Sequence, residues 1–263
     1  MNSSSVDLPL AAPLIAIARF TLLEAVRGRV LVIAVVLALG AIAAAIFLRQ
    51  IAMTEGAEIQ AAIIAAALRL CSVFLLTSFA LASMVREWND KGVELILTHP
   101  LPRSVYVLGR FAGFATAGAA IAVLASLPLL FFAAPDRVLA WGASLAGELA
   151  ILAAAAVFLS LTLTQFVGAF AALAAFYVLS RAMDALRILA SVGDATTSLA
   201  EGLAYLVVTG LSTLLPSLGR MTQSAWLTDG FAPGDLVNAL TQTVLYCALL
   251  LAAALVDFYR KNL

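Results

Sequence analysis

Residues 86–110 read REWNDKGVELILTHPLPRSVYVLGR, and they form the most highly charged passage of an otherwise apolar chain. Apolar runs long enough to cross a lipid bilayer lie on both sides of this passage. A charged stretch between two such runs is either a plain connector or the place where a soluble partner binds. The composition and order of the rest of the chain help to decide between the two. The charged residues of the passage are Arg86, Glu87, Asp90, Lys91, Glu94, Arg103 and Arg110.

The composition is that of an integral membrane protein. The chain has 263 residues, of which 64% are hydrophobic and 11% charged, and its mean hydropathy is +1.08. Soluble domains carry about 25% charged residues, so this chain has too little polar surface to cover itself in water. The 15 basic and 15 acidic residues balance, and this balance indicates no nucleic-acid partner.

Six apolar runs predict an all-α polytopic membrane protein with one transmembrane domain over residues 1–263. An amphipathic segment at 14–29 is typical of a helix that lies in the membrane interface before the first span. Segment 191–235 contains an apolar piece of about a dozen residues, within 199–215, which is short for a span and is predicted to be re-entrant or interfacial. The predicted spans are about 30–48, 60–85, 105–132, 139–161, 166–187 and 236–256.

The distribution of basic residues predicts the orientation. Six spans place both termini and the loop 86–104 on one side of the membrane, and that side holds nine of the 15 basic residues. Because Lys and Arg near span ends favour the cytoplasmic side, both termini are predicted to be cytoplasmic. A seventh crossing would move Arg260 and Lys261 to the outside. The Ala- and Leu-rich composition fits a bacterial inner membrane.

Two charged residues appear at membrane depth, Arg69 in the second predicted span and Glu148 in the fourth. Each costs roughly 2.5–3.5 kcal/mol on insertion scales, so each is a candidate functional residue. They lie at similar depth with opposite sign, and therefore either pair with each other or reach the outer interface separately. Arg181, with two further charges at helical spacing, either rims an outer vestibule or marks a solvated helix end.

No motif for catalysis occurs in the sequence. The chain has no GxxxxGK[ST] phosphate-binding loop, no HExxH, no GxSxG and no Cys-x-x-Cys. The only histidine, His99, precedes a proline and is interpreted as a turn residue. Cys71 and Cys247 lie in apolar runs and are interpreted as small core residues. The chain is therefore not expected to be an enzyme or to bind a cofactor by itself.

The charged passage resembles the loop between the second and third spans of ABC-2 type transporter permeases. The resemblance rests on the residues Glu87, Gly92, Glu94, Leu97, Pro100, Arg103, Tyr106, Gly109 and Arg110. The amphipathic lead-in, the six spans, the long segment before the last span and the basic C-terminal tail are also similar to that family.

The resemblance implies that residues 89–97 form a coupling helix that sits in a groove of a separate ATPase subunit. Asn89 or Asp90 would cap this helix, and Pro100 would end it. Arg103, near the lipid headgroups, would pair with an acidic residue or anchor the third span. The implied polar contacts are Glu87, Asp90, Lys91 and Glu94, next to Gly92, and the implied apolar contacts are Val93 and Leu97.

The resemblance further implies a homodimer in lipid, with two copies of an ABC ATP-binding subunit that hydrolyses ATP on the permease's behalf. The first, second and fifth spans would line the pathway, and the outer segment would form a gate. Two other functions stay open: a secondary transporter, which would have internal repeats and ion ligands at the midplane, and a non-transporting membrane anchor or assembly protein. The sequence does not identify the cargo.

Overall fold

The computed structural model describes residues 11–51, 57–89, 102–163, 165–192, 210 and 215–260. These residues form α-helices and two short 3₁₀ turns, Leu127–Phe131 and Leu218–Arg220, and the described part contains no β-strand. The helices with described bounds are α1 (Ala11–Arg27), α2 (Val30–Ile51), α3 (Ala57–Asn89), α4 (Arg103–Ser126), α5 (Pro135–Thr162), α6 (Phe166–Val192), α7 (Ala225–Thr228) and α8 (Pro233–Arg260).

Six of these helices, α2 to α6 and α8, are long and apolar enough to cross a membrane. The predicted fold class, an all-α polytopic membrane protein, is therefore confirmed. The predicted interfacial helix is α1, which is separate from the first span because the chain turns at Gly28 and Arg29. Arg29 adopts a φ of 62°. This left-handed residue lies between the end of α1 at Arg27 and the start of α2 at Val30.

Most spanning helices extend further than the hydropathy predicts. The second span continues from 85 to Asn89, and the third begins at Arg103, so both ends of the predicted loop 86–104 are helical. The last span runs over Pro233–Arg260, not 236–256. Charged residues at several of these ends find partners on neighbouring helices, so the helix does not need to stop where its apolar run stops.

The core of the fold is α5, most of whose residues are buried. It packs mainly against α4 and α8, and also against α3. Trp141, Leu145 and Leu149 on α5 are fully buried. By contrast, α2 and α8 expose apolar side chains such as Val36 and Val244, as expected of helices that face lipid or another chain.

Helix α1, the end of α3, the start of α4 and the end of α8 meet at one end of the helix bundle, which we call the loop end. The Arg103 side chain donates a hydrogen bond from Nη1 to the carbonyl oxygen of Phe258, 2.9 Å away, near the end of α8. Thr162, at the end of α5, donates to Asp257 over 3.3 Å. Residues 215–232 lie at the opposite end, where they pack against α3, α5 and α6. The predicted re-entrant piece 199–215 falls outside the described residues except at 210 and 215.

Two glycines of α4 allow α1 to pack closely against it. A Cβ atom added to Gly109 would lie 2.9 Å from Cβ of Ile17, and one added to Gly113 would lie 3.0 Å from the carbonyl oxygen of Ala18 and overlap Thr21. Small residues four positions apart allow helices to approach closely. The structure identifies the partner helix as α1.

We expect the variant Gly113→Ala to lower the free energy of unfolding by about 1–3 kcal/mol, because the added methyl group forces α1 away from α4. Thermal unfolding in detergent measures the effect. The matched control is Gly40→Ala in α2, where an added Cβ meets nothing within 4 Å. Alanine is the better helix former by up to about 1 kcal/mol, so the control should be unchanged or more stable. Equal stability of both variants would contradict the close α1–α4 contact.

Candidate functional site

The side chain of Arg110 joins three helices at the loop end. Although charged, it is only 2% exposed. From α4, its Nη1 donates to Thr21 Oγ1 at 3.0 Å and to Glu24 Oε2 at 3.2 Å, both on α1. Its Nη2 donates to Ser83 Oγ at 3.0 Å and to a carboxylate oxygen of Glu87, both on α3. We call these five residues the loop-end cluster.

The hydrogen bonds from Arg110 in the loop-end cluster are donated by the two terminal nitrogens of its planar guanidinium group. The carboxylates of Glu24 and Glu87 flank the one cation. Charge-assisted hydrogen bonds of this kind are stronger than hydrogen bonds between neutral groups. Ser83 accepts from Arg110 and donates to Glu24, whose two carboxylate oxygens lie 2.8 and 2.7 Å from its hydroxyl. Residues three or four positions apart lie on one helix face, so Thr21 and Glu24 face α4 together, as do Ser83 and Glu87.

Aromatic side chains at the loop end tie α3 and α4 to the end of α8. The guanidinium of Arg103 lies 5.5 Å from the ring centre of Phe258 and 5.9 Å from that of Tyr259. Trp88, near the end of α3, meets Phe258 edge-on at 6.4 Å, and Tyr106 lies 6.1 Å from the same ring. These contacts attach Arg103, and with it the start of α4, to the end of α8.

Both attachments of the α3–α4 connection are therefore fixed within the bundle. Glu87, expected to contact a partner, has its carboxylate on Arg110, and its side chain is 18% exposed. Asn89, expected to cap a coupling helix, is the last residue of α3 and is exposed. The remaining predicted coupling residues lie outside the described residues; they are Asp90, Lys91, Gly92, Val93, Glu94, Leu97 and Pro100.

A second cluster of charges lies between the middle of α5 and residues 215–232 at the opposite end of the bundle. Glu148 is fully buried, and its ion-pair partner is Arg181 of α6, with 3.5 Å between Nη1 and Oε1. The hydroxyl of Thr222 donates to the other carboxylate oxygen of Glu148. Arg69 donates from Nη1 to the carbonyl oxygen of Thr222 at 3.0 Å. We call Arg69, Glu148, Arg181 and Thr222 the opposite-end cluster.

Two expectations from the sequence change here. Arg69 and Glu148 are connected through Thr222 rather than as a direct pair, and Glu148 does not reach the interface separately. Arg181 does not lie at a helix end, because α6 continues to Val192. The side chains of Asp184 and Arg187, which follow it at helical spacing, lie outside the described ones.

The backbone at Thr222 is strained. Its φ is 47°, in the left-handed region that β-branched residues rarely adopt, and the residue is fully buried. Its amide donates to Ser144 Oγ at 2.8 Å, so its amide, carbonyl and hydroxyl groups are all hydrogen-bonded to spanning helices. Such a conformation persists only where the surroundings impose it. Arg181 adds a hydrogen bond to the carbonyl oxygen of Leu218 at 2.9 Å, which fixes segment 217–222 on α3, α5 and α6.

The helices and buried charges define an all-helical, multi-pass membrane protein. Within its described part, no group of His, Cys, Asp and Glu residues is arranged to hold a metal ion. No protein-family model matches the sequence, and a search of the curated proteins finds no relative.

Proposed function

We propose that this chain is the permease subunit of an ATP-driven exporter of the ABC-2 type. It would form the translocation pathway as a homodimer in the bacterial inner membrane, with both termini cytoplasmic. Each copy would bind a separate ATP-binding subunit through loop 86–104, and ATP hydrolysis would take place in that subunit. The resemblance of residues 86–110 indicates this class of transporter. The geometry of the loop end supports the coupling between the permease and the ATP-binding subunit.

The observation that carries the proposal is the attachment of the α3–α4 connection at both ends. Moving a two-state pathway from about 1:99 to 99:1 takes about 5.5 kcal/mol of differential binding. If the ends of the loop were mobile, this binding free energy would displace the loop alone and would not move the spanning helices. Here Arg110 fastens the end of α3 to α1 and α4, while Arg103 fastens the start of α4 to α8. A displacement of the loop would therefore move four helices.

The contacts at the opposite end of the bundle support a gating role for segment 215–232. Three spanning helices hold this segment through hydrogen bonds from Arg69 and Arg181 and to Glu148. The helices expected to line the pathway by resemblance include α2 and α6, and these are among the least buried spans within a single chain. Such exposure is expected of helices that face a pathway or a second copy.

The experiment purifies the chain together with a candidate ABC ATP-binding subunit from the same organism. We expect the wild-type pair to bind and to transport in an ATP-dependent manner, and we expect Glu94→Arg or Gly92→Pro to abolish both. Asp229→Arg serves as the control, because it makes the same charge change at an exposed site at the opposite end. Undiminished ATPase binding and transport in both loop variants would contradict the coupling assignment.

A second candidate function, an ion-coupled secondary transporter, is favoured by one observation. Glu148 is the fourteenth residue of the 28-residue α5 and is fully buried between arginines. Ionisable groups buried in spanning helices mark ion or substrate pathways in such transporters. Transport by the chain alone, driven by an ion gradient without ATP, would support this function over the exporter.

A further inference from the structure

A groove at the loop end combines apolar walls with a charged rim. It lies between α1, α2 and α3 and has a volume of about 580 Å³. Its walls include side chains that are strongly exposed in the single chain, with Phe20 at 66%, Leu23 at 49% and Ile33 at 46%. Glu24, Arg27 and Arg86 line its polar part.

The charge of this polar part favours an anion. Glu24 is already engaged by Arg110 and Ser83, so it offers little to neutralise the arginines of the groove. Arg86 lies 3.9 Å from Glu24 with its side chain 64% exposed. Arg27 is exposed, and no carboxylate of the described residues forms an ion pair with it. Two guanidinium groups therefore remain at the mouth.

The groove lies at the level where a lipid headgroup would sit. The first apolar span is Val30–Phe47, so Arg27 precedes the span by less than one helical turn. The apolar wall residues Val30 and Ile33 belong to that span, next to Leu75 and Phe79 of α3. The charged rim is thus at the membrane surface, and the apolar walls continue into the hydrocarbon region.

We propose that this groove is a binding site for an anionic phospholipid of the surrounding membrane. An acyl chain lies along Phe20, Leu23 and Ile33, and the phosphate group lies between Arg27 and Arg86. Arginine suits this role because its planar donors match phosphate oxygens. The site does not depend on the proposed export function, since it requires only the described helices and a membrane.

The rim argues against a second copy of the chain as the occupant. In a two-fold symmetric dimer the same patch meets itself, so an interface centred on the groove would bring the arginines of both copies together. Like charges that face each other across an interface cost several kcal/mol. An anionic headgroup, by contrast, neutralises the same two side chains.

The test measures thermal unfolding of the purified full chain in neutral detergent with added phosphatidylglycerol or phosphatidylcholine. We expect phosphatidylglycerol to raise the Tm more than phosphatidylcholine. The variant Arg27→Gln/Arg86→Gln should bind phosphatidylglycerol about 30-fold more weakly, which corresponds to about 2 kcal/mol. Arg19→Gln/Arg260→Gln is the control, because it removes the same charge at exposed positions that do not line the groove.

A second variant, Ala82→Phe, fills the groove without a change of charge, since Ala82 lines it. Native mass spectrometry should show fewer bound phosphatidylglycerol molecules in this variant than in the wild type. Equal stabilisation by both lipids, or an unchanged phosphatidylglycerol preference in Arg27→Gln/Arg86→Gln, would overturn the site. A loss of dimer mass in Ala82→Phe with lipid binding unchanged would identify the groove as an interface between copies, which also overturns it.

Discussion

We expect the variant Arg110→Met to lose about 3–5 kcal/mol of unfolding free energy, because it removes the cation of a buried ionic cluster. Glu24 and Glu87, with side chains 23% and 18% exposed, would then face each other's charge without the guanidinium between them. The hydroxyls of Thr21 and Ser83 would lose a donor in the same step. Thermal unfolding in neutral detergent measures the loss.

Arg86→Met is the matched control for this prediction. It makes the same replacement on α3, but the Arg86 side chain is 64% exposed and its carboxylate contact is 3.9 Å long. Exposed ion pairs contribute about 0–1 kcal/mol, so this variant should remain close to the wild type. If Arg110→Met unfolds no earlier than Arg86→Met, the loop-end cluster does not hold the three helices together.

A rescue variant separates the loss of charge balance from the loss of packing. Adding Glu24→Gln and Glu87→Gln to Arg110→Met removes the uncompensated carboxylates while it keeps side chains of similar shape. Replacement of a whole buried ionic group is often neutral, whereas removal of one partner is not. We therefore expect the triple variant to recover most of the stability lost by Arg110→Met.

The helical framework of this protein is predictable because hydropathy and length are properties of contiguous segments. Each span needs about 20 apolar residues, and the sequence supplies six such runs. Helix ends are less predictable, as Glu87 illustrates. Its charge suggests a loop, but its partner Arg110 lies 23 residues further along the chain and stabilises another helical turn.

The loop-end cluster depends on contacts that no local pattern encodes. Arg110 and Glu24 are 86 residues apart, and the Gly-Arg junction at 109–110 carries little information by itself. One usable signal is the spacing of polar residues on otherwise apolar helices. Thr21 and Glu24, like Ser83 and Glu87, form a polar stripe on one helix face, and such a stripe needs a partner within the membrane.

The sequence predicts some residues of the opposite-end cluster but not how they are joined. Arg69 and Glu148 are conspicuous because a charge within an apolar run is costly. Thr222 follows a segment without helical or strand periodicity, so no pattern associates it with Glu148, although they lie only 74 residues apart. The end of α6 was misplaced because its apolar run weakens, and Arg181 was consequently assigned to a solvated or rim position.

The largest effect at the opposite end is expected for Arg181→Met. This variant leaves the fully buried Glu148 carboxylate without its ion-pair partner, which should cost about 3–5 kcal/mol of unfolding free energy. Glu148→Gln should cost less, because the amide oxygen can still accept the hydrogen bond from Thr222. The double variant should be more stable than the sum of the two losses predicts, by about 0.5–3 kcal/mol, as for residues in direct contact.

A parallel cycle with Arg69→Met and Glu148→Gln provides the comparison. Arg69 reaches Glu148 only through the backbone and hydroxyl of Thr222, so its coupling free energy should be smaller than that of Arg181. Thermal unfolding in detergent of the three single and two double variants, with the wild type, gives both coupling energies. Losses that simply add in the Arg181 cycle would contradict the ion pair. A larger coupling for Arg69 than for Arg181 would mean that Arg69 is the principal counter-ion of Glu148. Arg69 and Glu148 would then interact directly, and Thr222 would not be needed to connect them.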